Sequence, residues 1–207
     1  MSEVVLYDYW CSSAAYRVRI ALNLKGVAYR RVPIDLSQGV QLGADYMALN
    51  PQGLVPALAI DGLLLTQSLA IIDYLDANFP EPPMVSSDPA SRSRTLAQAL
   101  IIAADIHPIN NLRVLNYLRR ELGQGEDAVN NWYRHWIAEG LAALEAQAPP
   151  AWPVRRSAAQ SGGCLSGAAA GQRAAVRSAA RALSQTGGDR RGAARIARLC
   201  RCCTRSR

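Results

Sequence analysis

Apolar and polar positions along the first eighty residues change period several times. Val4-Val5-Leu6-Tyr7 is a short apolar run and predicts a strand. A loop follows, from Asp8 to Ser12 or Ser13. Apolar positions then recur at helical spacing, with Val18, Ala21 and Leu22 on one face of a helix through Tyr16 to Lys25. Gly26 stands where a helix C-cap favours glycine. Tyr29-Arg30-Arg31-Val32 predicts a second strand, and the β-α-β order implies parallel pairing with a right-handed crossover. Tyr46 to Leu49 suits a short helix, and Asn50-Pro51-Gln52-Gly53 is turn chemistry. Two apolar runs, Leu54 to Ile60 and Leu63 to Leu65, flank Asp61-Gly62, which is a hairpin signal. A helix from near Ser68 carries Leu69, Ile72, Leu75 and Phe79 along one face. The first eighty residues therefore read β-α-β-α-β-β-α, an α/β unit with a mixed sheet.

Pro80-Glu81-Pro82-Pro83 reads as a linker, and the periodicity beyond it is only helical. Leu96, Leu100, Ala103 and Ala104 form one expected stripe, and Leu112, Leu115 and Leu118 extend it. Val129, Trp132, Trp136 and Leu144 form another, supported by Tyr133, Ile137 and Leu141. This predicts an all-helical second unit. The pattern stops near Pro149-Pro150. Residues 151–207 hold 14 Ala, 12 Arg, 7 Gly and four Cys, but only six Leu, Ile, Val or Phe. That is below the roughly 20% expected of a foldable segment, so this stretch is expected to be poorly ordered.

Charge divides at the same place. The net charge of +7 over 207 residues averages −4 in residues 1–150 and +11 in residues 151–207. An acidic main body argues against nucleic acid as a partner of residues 1–150. No apolar run reaches the length of a membrane span, so no membrane partner is expected. The start MSEVVLYDYW lacks a charged region followed by an apolar stretch, and Cys11 alone occupies residues 1–150. Both features fit a reducing cytoplasm. No cluster has metal-ligand spacing: Cys200, Cys202 and Cys203 lack a second group, and no metal is expected.

Three places carry candidate chemistry. Ser12 and Ser13 sit where a loop turns into a helix. They read either as an N-cap or as a hydroxyl facing an anion held at a helix N-terminus. Val55-Pro56 precedes a strand. It reads either as an edge strand with a trans proline, or as a cis proline that turns the Val55 backbone toward an extended peptide-like ligand. Gln67-Ser68 opens the third helix, where capping and carboxylate binding share one geometry. Arg17 reads either as a salt-bridged or solvated arginine or as a partner for a substrate carboxylate.

Together these stretches resemble the zeta class of glutathione transferases. The matching residues are Ser12-Ser13 leading into Tyr16-Arg17-Val18-Arg19-Ile20-Ala21-Leu22, Ala48-Leu49-Asn50-Pro51, Val55-Pro56, and Gln67-Ser68-Leu69-Ala70-Ile71-Ile72. Asp105-Ile106-His107-Pro108 and Asn110-Asn111-Leu112 match further on. The resemblance implies a glutathione transferase fold with an incomplete C-terminal part. Its domains are an α/β thioredoxin-like glutathione-binding domain over residues 1–80 and a partial all-α domain over 86–150. It implies glutathione as cofactor, a homodimer and a small dicarboxylate substrate. The implied activity is glutathione-dependent cis–trans isomerisation of maleylacetoacetate to fumarylacetoacetate in tyrosine and phenylalanine breakdown. Transferase activity toward small electrophiles is compatible, and maleylpyruvate is the alternative substrate. Residue by residue, Ser12 would face the glutathione sulfur with Ser13 beside it. Gln41, Val55 and Pro56 would bind its backbone, and Gln67 and Ser68 its γ-glutamyl carboxylate. His107 and Asn111 would line the site from the helical domain, and Arg17 would meet a substrate carboxylate.

The chain departs from the family at three points. Ala14 stands where the family often has Cys, and Cys11 where relatives often have Arg. Residues 151–207 match nothing in the family and read like a GC-rich gene translated out of frame, so a frameshift after about residue 148 is the expectation. Two rival functions follow from the residues. One is a glutaredoxin-like thiol oxidoreductase using Cys11, which lacks the Cys-x-x-Cys pattern. The other is an inactive frameshifted product whose basic tail binds nucleic acid.

Overall fold

The computed structural model describes residues 3–147. The expectation of poor order in residues 151–207 lies outside the described residues. The chain divides after Ser86 into two compact units. Among the described residues, no helix is long and apolar enough to cross a membrane.

The first unit is a four-stranded mixed sheet with helices against it, in the expected order. The strands are β1 (Val5–Asp8), β2 (Arg30–Pro33), β3 (Ala57–Ile60) and β4 (Leu63–Thr66), arranged β2-β1-β3-β4. β1 pairs parallel with β2, Val5 opposite Arg30, and antiparallel with β3, Leu6 opposite Leu58. The hairpin forms where Asp61-Gly62 predicts it. Both residues have positive φ, 50° and 76°, the conformation a two-residue hairpin turn requires. Helix α1 (Ser13–Leu24) provides the β1–β2 crossover, α2 (Ala44–Leu49) follows a 3-10 turn at Val40–Leu42, and α3 (Ser68–Asn78) packs beside α1. The core between sheet and helices is Leu6, Val18, Leu22, Leu58, Ile71 and Leu75, all fully buried. Each such side chain contributes about 1.5–3 kcal/mol of burial.

Several boundaries differ from those expected, each for a physical reason. α1 begins at Ser13, earlier than the apolar periodicity marks, because Ser13, Ala14 and Ala15 are buried but too small to show as a stripe. β3 begins at Ala57 rather than Leu54. Tyr46 Oη and Asn50 Nδ2 each donate to the Leu54 carbonyl at 2.7 Å and hold that residue off the ladder. The Val55-Pro56 peptide bond is cis, so the edge-strand reading with a trans proline is not the one adopted.

The second unit is helical, as predicted: α4 (Pro89–Leu100), a π-helical segment (Ile101–Ile106), α5 (His107–Ile109), α6 (Leu112–Arg120) and α7 (Glu126–Gln147). Asp88 caps α4 by accepting from the Ser91 N–H at 2.8 Å, and Pro89 sits at its first position. The stripe expected at Leu96, Leu100, Ala103 and Ala104 is out of phase. Burial follows Thr95, Ile102 and Ile106, while Leu100 is 47% exposed. A π-turn accommodates more than 3.6 residues, so extrapolating helical spacing across residue 100 fails. The α7 stripe is as predicted. Val129 is buried, Trp132, Trp136, Ile137, Leu141 and Leu144 are half-buried, and the Trp132 indole donates to the Ile109 carbonyl at 3.0 Å.

Candidate functional site

Ser12 is the N-cap of α1. Its Oγ accepts from the Ala15 N–H at 3.2 Å. Capping uses a lone pair and leaves the hydroxyl proton available to donate, so the cap and an anion site are compatible in one residue. The N-terminus of a twelve-residue helix adds partial positive charge at the same place. Cys11 lies one residue outside the cap and is half-buried. Ser12, not Cys11, therefore occupies the position at which a helix end would depress a thiol pKa.

Ser68 begins α3 and is buried. Its Oγ accepts from Arg17 Nη2 at 2.9 Å and from Arg17 Nε at 3.2 Å. Again the serine is an acceptor within the protein, with a proton left to donate outward. Gln67, the residue before the helix, has φ 63° and ψ 113°. A non-glycine residue in that region carries strain of about 1–3 kcal/mol, which clusters at ligand sites. Its amide donates to Gln52 Oε1 at 2.9 Å and so ties the start of α3 to the loop before Pro56.

Burial pushes the Arg17 guanidinium down to about 10, which leaves it charged at neutral pH. Its Nη1 is buried with no hydrogen-bond partner, and among the described residues no carboxylate pairs with it. Buried cations are ordinarily neutralised, so this position suits an anion. Gln41 Oε1, on the 3-10 turn, is likewise buried and unpartnered among the described residues. Gly53 (φ 61°) lets that turn approach the Val55 loop: a Cβ at residue 53 would stand 3.2 Å from the Gln41 carbonyl oxygen. Val55 and Pro56 are buried and precede the register of β3, so their backbone lies outside the sheet ladder.

The structure thus brings Arg17 and Ser68 into contact and sets Gln41 near the loop before Val55. Ser12 and Ser13 open α1, which packs on α3. His107 and Asn111 belong to the second unit. His107 starts α5, and Asn111 caps α6 by accepting from the Arg113 N–H at 3.2 Å, a structural role the sequence reading did not assign. Sequence reasoning also missed Tyr46 and Asn50, which fix the Leu54 carbonyl. The signal was present in Asn50-Pro51, a turn whose asparagine had an unassigned side chain.

The glutathione S-transferase N-terminal domain family matches residues 6–83. A probable maleylacetoacetate isomerase from Vibrio cholerae is 51% identical over 147 residues, covering 70% of this chain and 68% of that protein. The chain belongs to the zeta class of the glutathione S-transferase family. A solved holo structure of a bacterial maleylpyruvate isomerase, a zeta-class glutathione S-transferase, is 46% identical. It aligns with TM-score 0.67 over 69% of this chain and 67% of its own. The maleylacetoacetate isomerase of Methylobacterium extorquens AM1, solved with malonate and glutathione bound, is 34% identical. Its TM-score is 0.70, over 94% of this chain and 90% of its own. Family membership gives the unpaired groups a context. The glutathione S-transferase N-terminal domain matched over residues 6–83 is the one that carries the α1 cap, the cis-Pro loop and the start of α3.

Proposed function

We propose that the chain is a glutathione-dependent cis–trans isomerase that converts maleylacetoacetate to fumarylacetoacetate. The observation that carries the reading is the buried Arg17 cation, bonded to Ser68 at a helix N-terminus and with no carboxylate partner among the described residues. A γ-glutamyl carboxylate, rather than the substrate carboxylate expected of Arg17 from the sequence, suits that role because Arg17 is bonded to Ser68, and Ser68 and the strained Gln67 supply donors around it. Gln41 Oε1 and the Val55 backbone suit the peptide-like remainder of glutathione. Ser12, with Ser13 beside it, donates to the sulfur and favours its ionised form. Bound glutathione contributes a thiolate that adds reversibly to the cis double bond, permitting rotation about the bond that becomes single. The protein's part is to hold the sulfur ionised, fix the substrate carboxylates and stabilise the developing enolate charge. His107 and Asn111, carried by the second unit, are the residues proposed there as glutathione-binding. Residues 1–80 form the glutathione domain and 86–150 part of the helical domain. The enzyme works as a cytoplasmic homodimer on a small dicarboxylate, and transferase activity toward small electrophiles uses the same site.

Maleylpyruvate is the second reading, supported by the 46% identity to the maleylpyruvate isomerase. Purified full-length protein assayed on both substrates, with and without glutathione, separates them. Activity on neither substrate overturns the isomerase reading. Ser12→Ala is expected to lower kcat and to raise the pKa of the bound thiol. A thiolate absorbance titration unchanged in that variant makes Ser12 only a cap.

A further inference from the structure

Asp8 ends β1 four residues before Ser12, and its carboxylate is fully buried. Its Oδ2 accepts from Arg31 Nε at 2.7 Å and Nη2 at 2.6 Å, and lies 3.4 Å from Arg19 Nη1. Arg19 is only 11% exposed. Its Nη2 donates to the Trp10 carbonyl at 3.1 Å, and its guanidinium carbon stands 5.2 Å from the centre of the Tyr16 ring. One side chain therefore touches the end of β1, the middle of the loop and the first turns of α1. The loop has few other anchors. The Ser12 N–H closes a turn on the Tyr9 carbonyl at 2.9 Å, while Trp10 is 65% exposed. Without Arg19, nothing among the described residues holds the Trp10 carbonyl.

We propose that Arg19, oriented by Asp8 and Arg31, is a positioning residue that fixes the Trp10–Ser12 loop and so aims the Ser12 hydroxyl at the glutathione sulfur. Burying the Asp8 carboxylate with the Arg19 guanidinium costs desolvation even with Arg31 half exposed, and an apolar pair of the same volume would hold the sheet as well or better. What an apolar pair cannot do is donate to a loop carbonyl. Trp10 precedes Ser12 by two residues, so a small swing of its carbonyl re-aims the cap. Misplacement of that order weakens a hydrogen bond to a developing or resting charge.

The inference rests on the glutathione reading, and the test separates the two. Full-length wild type, Ser12→Ala, Arg19→Gln, Arg19→Lys and Asp8→Asn are titrated by thiolate ultraviolet absorbance of bound glutathione, and kcat and KM are measured. Arg30→Gln, which removes the exposed Arg30–Glu3 pair on the neighbouring strand, is the control. Arg19→Gln and Asp8→Asn are expected to raise the thiol pKa by roughly one unit and to lower kcat about tenfold, with KM for glutathione nearly unchanged. Arg19→Lys recovers part of the loss. Ser12→Ala combined with Arg19→Gln is no worse than Ser12→Ala alone, because Arg19 acts through Ser12. Asp8→Asn keeps the side-chain shape and carries the test if the Arg19 variants lose their fold. An unchanged thiol pKa in Arg19→Gln and Asp8→Asn, beside a shifted one in Ser12→Ala, overturns the inference and leaves the function standing. Failure of wild type to bind glutathione overturns both.

Discussion

Arg17 of α1 donates to the hydroxyl of Ser68 at the start of α3, with Nη2 and Oγ 2.9 Å apart. The bond joins the second turn of α1 to the N-terminus of α3, two helices whose N-termini both carry candidate serines, and it spans 51 positions of sequence. It also orients Ser68. With its lone pairs taken up by the guanidinium, the hydroxyl proton points away from Arg17, toward an incoming acceptor. Ser68→Ala removes that donor and leaves Arg17 without its partner. A charge-assisted bond of about 1.5–3 kcal/mol corresponds to glutathione binding roughly ten- to a hundredfold weaker. Isothermal calorimetry measures it, and an unaltered Kd takes Ser68 out of the site.

Arg17 itself makes an opposite pair of predictions for free and bound protein. Burial lowers its folded-state pKa to about 10, so the unfolded chain binds more protons between that value and the ordinary arginine range. The cost of holding the charge is therefore fully present at every pH below 10 and fades only above it. Arg17→Met is expected to leave the free protein as stable or more so, by on the order of 1 kcal/mol, while removing most of the rise in Tm that glutathione confers. Thermal denaturation with and without glutathione reads both. A marked loss of stability with the ligand effect intact makes Arg17 a structural arginine.

The strands, the hairpin and α1 and α3 were legible because each has a local cause: an apolar run, a turn dipeptide, a cap. Asp61-Gly62 named its own turn, and the α7 stripe at Val129, Trp132 and Trp136 repeats without interruption. The π-helical segment was not legible. Its residues, Ile101-Ile102-Ala103-Ala104-Asp105-Ile106, suit an ordinary helix, so nothing local marks the wider turn, in which Ile102 and Ile106 pack against Ile137 and Leu141 of α7. Among the candidate residues, Ser12, Gln67 and Ser68 were legible as helix-start positions, which they occupy. The Asp8–Arg19–Arg31 cluster did not, because ion pairs between a strand end, a helix and a neighbouring strand leave no periodic trace.

Lys25 and Asp76 staple the first unit to the segment that leaves it. Lys25 Nζ, its side chain fully buried, donates to Asp76 Oδ1 at 2.6 Å and to the Pro82 carbonyl at 2.7 Å. Asp76 accepts in turn from the Met84 N–H at 2.8 Å and the Val85 N–H at 3.1 Å. Asp76→Ala leaves a buried ammonium without its counter-charge, held only by the Pro82 carbonyl, and two backbone donors unpaired, at a cost of about 3–5 kcal/mol. Replacing both partners, Lys25→Met with Asp76→Leu, is expected to cost clearly less. Urea denaturation measures each. Equal losses in the single and the double variant would show that the charge pairing contributes nothing.

Asp88 provides an acid-dependent signature in the second unit. Its carboxyl is held below the usual aspartate range, first by the Ser91 N–H donating to it and by the further bond to the Ser91 side chain. A depressed folded-state value means that the cap's ionic contribution is complete above the unfolded value and is lost as pH falls through the folded one. Asn at an N-cap accepts the same hydrogen bond but does not titrate. Asp88→Asn is therefore expected to have a Tm at or slightly below wild type at neutral pH and above it once the carboxyl is protonated. Parallel Tm curves across that range would show that the carboxyl charge does not matter to α4.

Gly140 sits in the middle of α7, where glycine costs about 0.5–1 kcal/mol relative to alanine. On helix propensity alone, Gly140→Ala should stabilise the protein. The structure predicts the reverse. A Cβ at residue 140 would overlap Cδ1 and Cγ1 of Ile106, which is buried at the end of the π-helical segment. Ile106 is packed with Ile102, Ile137 and Leu141, so it has little room to retreat. Overpacking of this kind costs about 1–3 kcal/mol, more than the propensity gain. Because His107 follows directly, displacement of Ile106 is also expected to disturb the position of that side chain. Shortening the obstructing residue should reverse the loss, so Gly140→Ala with Ile106→Val is expected to recover most of the stability of the wild type. Denaturant unfolding followed by the fluorescence of Trp132 and Trp136 on the same helix reports both variants. A Gly140→Ala protein more stable than wild type would mean that propensity governs this position and that the close approach to Ile106 does not constrain it.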